Sequence, residues 1–75
     1  MFKKKTYKQR LIDLLTEEFR LQTDRYNKTR LQTYIKQVNA LPAIVFTPKK
    51  FRHQLVNSIY LFNPKLINKL YGIDN

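Results

Sequence analysis

The sequence predicts an all-α fold, three to four short helices in a compact basic bundle. Three observations lead there. No Pro or Gly occurs between Met1 and Leu41, which leaves that stretch free to be helical. The only glycine is Gly72 and there is no cysteine, so a fold of many tight turns and a disulfide framework are both excluded. The apolar residues recur at helical period, not in strict alternation.

A first helix is expected from about Thr6. At about 100° per residue, Tyr7, Leu11, Leu14, Leu15, Phe19 and Leu21 fall within one half of a helical wheel. The next apolar set is Leu31, Tyr34, Ile35, Val38 and Leu41. A straight helix through both sets would put Arg20 and Asp24 on the second stripe. The stretch from Gln22 to Arg30 holds one apolar residue, Tyr26. A break is expected there, with Thr23, Asp24 or Asn27 as the N-cap. The alternative is one long bent helix from about Thr6 to Asn39.

Leu41-Pro42 ends the second helix, because a residue before proline is biased away from helical backbone. Ala43–Phe46 is β-prone, and a short extended connector or an edge strand fits it. Thr47-Pro48 reads as a helix start, a hydroxyl cap followed by a proline whose missing N–H costs nothing there. The third helix would then run from Pro48 to about Phe62. Asn63-Pro64 repeats the signal and opens a short fourth helix to Tyr71, which Gly72 stops by taking positive φ. Residues 1–5 read as a flexible basic arm and 6–75 as a single helical domain.

Fifteen Lys and Arg stand against five Asp and Glu, a formal charge of +10. The charges are segregated. Lys3, Lys4, Lys5, Lys8 and Arg10 have no acid among them, whereas Asp13, Glu17, Glu18 and Asp24 cluster in and after the first helix. There Glu17 can reach Arg20, and Arg20 can reach Asp24. A second basic region follows with Lys28, Arg30, Lys36, Lys49, Lys50 and Arg52. Cations so placed favour a polyanion, since each phosphate they neutralise releases condensed counterion. The plainer reading is a solvated basic face, which must bear the repulsion of its own charge.

The third helix carries the most information. Phe51, Leu55, Ser58, Ile59 and Phe62 form its expected core stripe. The opposite face presents Lys49, His53, Asn57 and Tyr60, flanked by Lys50 and Gln54. Side chains of these types reach phosphates and base edges, and recognition helices do so from their first turns. The functional expectation is therefore a DNA-binding regulator or accessory factor. Nucleic acid, DNA favoured over RNA, would contact Lys3, Lys4, Lys5, Lys8, Lys28, Arg30, Lys49, Lys50, Arg52, His53 and Asn57. An ordinary solvated helix face explains the same residues. The long connection before Pro48 departs from a helix-turn-helix, whose turn is about 3–4 residues.

Val56, Tyr60 and Leu61 lie off the main stripe of the third helix. With Ile67 and Tyr71 they would form either extra core against the fourth helix or an apolar docking surface. That surface supports the alternative function, a modulator that docks on a larger regulatory or nucleic-acid-processing protein, or on a second copy of itself.

Catalysis is not expected. His53 and Ser58, the only residues of their kinds, would stand about 140° apart on a helix, which makes no nucleophile–base pair. Asp13 and Glu17 share a face but lack a third acidic ligand for a cation. No cofactor and no metal are expected. The aromatics Tyr7, Phe19, Tyr34, Phe51 and Phe62 fall on apolar stripes and read as core, with base stacking the alternative. No apolar run is long enough to span a membrane and no secretory signal is visible at the start, so a cytoplasmic location is expected. A helix lying on an anionic membrane surface is disfavoured by the acids on the first helix.

Overall fold

Side-chain caps define where the helices begin. The computed structural model describes residues 5–48 and 53–72. It contains α1 (Tyr7–Leu21), α2 (Arg25–Ala40), a 3-10 turn (Ala43–Phe46), α3 (Gln54–Phe62) and α4 (Pro64–Tyr71), with no strand among the described residues. The Thr6 hydroxyl accepts from the Gln9 N–H at 3.1 Å and opens α1. Asp24 accepts from the Tyr26 N–H at 2.9 Å and opens α2. The break expected between Gln22 and Arg30 is therefore present, at residues 22–24, and of the three candidate caps Asp24 is the one used, not a partner of Arg20. Glu17 does pair with Arg20, at 3.0 Å.

The helices close a ring. α1 packs on α2 and α4, α3 packs on the same two, and α1 and α3 sit diagonally across the core. Four contacts tie neighbouring helices together. Lys8 Nζ donates to the Asn39 carbonyl and Lys28 Nζ to the Phe19 carbonyl, so α1 and α2 run antiparallel. Tyr7 at the start of α1 meets Tyr71 at the end of α4, ring centroids 5.4 Å apart. Tyr34 of α2 packs edge-on against Phe62 of α3 at 5.6 Å.

Leu11, Leu15, Leu31, Val38, Phe46, Ile59 and Leu70 are buried at the centre. Tyr7, Leu14, Phe19, Ile35, Leu41 and Phe62 pack against them, together with Ile12, which the wheel did not select. Leu21, the last residue of the expected first stripe, is 68% exposed. It is the final residue of α1, where the chain has already turned off the core.

Three expectations are corrected. Ala43–Phe46 is a 3-10 turn, not a strand or extended connector: Val45 N–H donates to the Pro42 carbonyl and Thr47 N–H to that of Ile44. No neighbouring strand exists among the described residues to pair with it. The turn plugs Phe46 into the core and packs on α1.

Helix α3 begins at Gln54, not at Pro48, and its cap is His53. Thr47 is instead the C-cap of the 3-10 turn, its hydroxyl donating to the Ile44 carbonyl at 2.9 Å. Finally, Val56 is core, 1% exposed, as is Ile67 on α4. Both belong to the buried core, the first of the two readings given for these residues, and to no surface patch. Phe51, expected in the core stripe, lies outside the described residues.

The joint between α3 and α4 is a single residue. The Asn63 N–H donates to Ile59 and closes α3, while its side chain accepts from the Lys65 N–H and opens α4. Gly72 ends α4 at φ 70°, the left-handed conformation that only glycine adopts without strain. No helix among the described residues is long and apolar enough to cross a membrane.

Candidate nucleic-acid interface

Apart from Asn57, the expected contact residues divide into three groups. Lys3, Lys4, Lys49, Lys50 and Arg52 lie outside the described residues. The described amines are already engaged with the fold. Lys5, the one described residue of the expected arm, pairs with Asp13 at 2.7 Å. That contact and Gln9 hold the Asp13 carboxyl below the usual carboxylate range. Lys8 caps the Asn39 carbonyl. Lys28 donates to Phe19 at 3.0 Å, with its ammonium 4.5 Å from the centre of that ring. These three side chains tie elements together as well as carrying charge.

Arg30 and His53 form the third group, and the structure brings them to one groove. The groove, about 660 Å³, runs between α2 and the beginning of α3. One wall is the polar stripe Thr29, Arg30, Thr33 and Gln37 of α2. The other is His53, Gln54 and Ser58. Tyr34, Leu41 and Leu55 contribute its apolar part. No carboxylate among the described residues lines it.

Each wall is fixed by a local bond. Arg30 Nη2 donates to the Tyr34 hydroxyl at 2.7 Å, and its guanidinium carbon lies 5.4 Å from the ring centroid. The Tyr34 bond, with Tyr26 adding to it, raises the Arg30 pKa above its ordinary value. The positive charge is therefore permanent and held in place. Tyr34 reaches in turn to the Ser58 carbonyl at 3.5 Å, linking the two walls. His53 Nδ1 accepts from the Leu55 N–H at 3.1 Å. Accepting that bond requires Nδ1 to carry no proton, so the remaining ring edge is an Nε2–H donor. Thr29 and Thr33 donate their hydroxyl protons to the carbonyls of Arg25 and Thr29, one turn back. Their oxygens face outward as acceptors. The groove thus offers a fixed cation, an imidazole N–H, two glutamine amides and hydroxyl oxygens.

The face expected on the third helix is divided by this geometry. His53 and Gln54 turn into the groove, whereas Asn57 and Tyr60 are exposed outside its lining. Of the three expected docking residues, Leu61 is 82% and Tyr60 45% exposed, and Val56 is core. Thr29, Thr33, Gln37, Gln54 and Ser58 were not among the expected contacts. The signal available for three of them was the four-residue spacing of Thr29, Thr33 and Gln37 along α2.

Fold and groove together define a small basic four-helix bundle with a polar cleft between α2 and α3. Comparison of the chain with protein-family models, curated proteins and solved structures finds no match.

Proposed function

We propose that this protein binds nucleic acid, with the α2–α3 groove and the cationic surface of α2 as the contact region, and acts as a regulator or accessory factor without chemistry of its own. The observation that carries this reading is the segregation of charge. Helix α2 holds Arg25, Lys28, Arg30 and Lys36 and no acid, and α3 holds no charge at all. Among the described residues, the carboxylates Asp13, Glu17 and Glu18 lie on α1, diagonally across the bundle from α3, and the fourth, Asp24, caps the first turn of α2. A polyanion laid along the groove meets cations and hydrogen-bond donors and no carboxylate among the described lining residues, Asp24 standing beyond them at the start of α2. In sequence, Lys49, Lys50 and Arg52 lead directly into His53 and extend the same preference.

Phosphate neutralisation makes such binding steeply dependent on salt. A mobility-shift titration on mixed genomic fragments between about 50 and 200 mM salt should show affinity falling by orders of magnitude. Absence of a shift at the lowest salt removes the proposal.

A second reading rests on Tyr60 and Leu61, two large apolar side chains exposed side by side at the end of α3. They suit docking on a larger protein. Co-purification of a partner that survives nuclease treatment and is lost in Leu61→Lys would favour this reading over the first.

A further inference from the structure

We infer that the nucleic acid this protein takes is single-stranded, its backbone lying along the α2–α3 groove with a base stacked on Tyr26. The inference rests on the nucleic-acid reading and goes further by naming the form of the ligand.

The first argument is shape. A helix that reads duplex DNA must stand clear of its neighbours to enter a major groove only about 12 Å wide. Such helices use their first turns. Here the first turn of α3 does the opposite. His53 and Gln54 form one wall of a cleft whose other wall is α2. Two helices packed about 8–10 Å apart are too broad together for that groove. Helix α3 is also short, nine residues or about 14 Å. A concave site between helices accepts a flexible strand, which can bend its phosphates down to the donors on the floor and walls.

The second argument is an exposed ring on α2, outside the groove's lining and one turn before Arg30. Tyr26 lies one helical turn before Arg30 on α2, and it is 66% exposed. An aromatic face left open beside a fixed guanidinium is the pairing by which single strands are held without sequence reading: phosphate on the cation, base on the ring. In a duplex the bases are already stacked on one another, and Tyr26 would gain nothing from them. Thr29, one turn from Arg25 and between Tyr26 and Thr33, keeps its oxygen available to sugar or base donors. The groove is also large enough, at about 660 Å³, to seat more than one nucleotide unit.

The test is fluorescence anisotropy of the full chain with one mixed-sequence labelled oligonucleotide, as single-stranded DNA, as single-stranded RNA and annealed as duplex DNA, all at the same salt. Single strands should bind at least about tenfold tighter than the duplex. Tyr26→Ala should weaken single-strand binding by about five- to a hundredfold, the range that loss of one base stack gives. Tyr26→Phe should retain it, and the loss in Tyr26→Ala should be smaller on the duplex than on the single strand. The circular dichroism of the Tyr26 variants should match the parent, since the ring is on the surface. The DNA and RNA arms show which sugar the groove prefers. Equal or tighter duplex binding, or a Tyr26→Ala effect equal on both forms, overturns this inference while leaving the nucleic-acid reading standing. Failure of every oligonucleotide to bind at low salt overturns both.

Discussion

The Tyr71 hydroxyl donates a 2.8 Å hydrogen bond to the Phe46 carbonyl, tying the end of α4 to the turn that precedes α3. Burial, with Tyr7 beside it, pushes the Tyr71 pKa up from 10.0 to about 12. The neutral phenol is the form the fold requires, because only it can donate this bond. Raised in the folded state, this group contributes stability that is complete below about pH 10 and is lost as pH rises toward 12. Alkaline titration followed by tyrosinate absorbance and circular dichroism should show one late-titrating tyrosine whose ionisation accompanies loss of helix. In Tyr71→Phe that late step should be missing and the remaining alkaline transition shallower.

Val56 and Leu61 stand five residues apart on α3 and should respond oppositely to truncation. Val56→Ala removes methyl groups from a closed core and should cost about 1–3 kcal/mol. Leu61→Ala, on the surface, should change stability by no more than about 0.5 kcal/mol. Urea denaturation of the two variants checks both. A large cost at Leu61 would mean that the residue is covered in solution.

Lys28 bridges helices through its bond to Phe19 and its position over that ring. Lys28→Ala should therefore lower stability by about 0.5–2 kcal/mol as well as removing a charge. Binding measurements on this variant should be made well below its lowered melting temperature. An unchanged midpoint in urea would show that the bridge contributes nothing.

Two positions hold α4 at its ends. Asn63→Ala removes the side-chain acceptor for Lys65 and should cost about 1 kcal/mol. Gly72→Ala forces a Cβ into left-handed backbone at φ 70°. Nothing lies within 4 Å of where that atom would stand, so the cost should be the backbone term alone, about 1 kcal/mol. Thermal melts of the two single variants and the double should be additive, because the sites are at opposite ends of the helix.

The parts of this fold that could be read from sequence were those written in local chemistry. Asp24, Asn63-Pro64 and Gly72 each announce a helix end through a side chain or a φ preference that acts within a few residues. The start of α3 is hidden from a local reading because Thr47-Pro48 carries the same signal, yet the Thr47 hydroxyl bonds back to Ile44 and α3 begins only at Gln54. His53 is not among the side chains ordinarily favoured as caps. Val56 and Ile67 looked surplus because α3 contacts both α2 and α4, and a single stripe on a helical wheel allows for one neighbour. The groove was half legible. Arg30, His53 and Gln54 drew attention as separate residues, but their convergence depends on α2 and α3 meeting across a break of thirteen residues, 41–53, that no periodicity crosses.

The one-residue joint at Asn63 has a kinetic consequence. Helices of nine and eight residues are too brief to persist alone in water. Here the same side chain and peptide group stop one and start the other, so neither end can fray without releasing its neighbour. In amide hydrogen exchange α3 and α4 should behave as one opening unit, their slowest protons sharing a single protection factor, while α1 and α2 open on their own schedule.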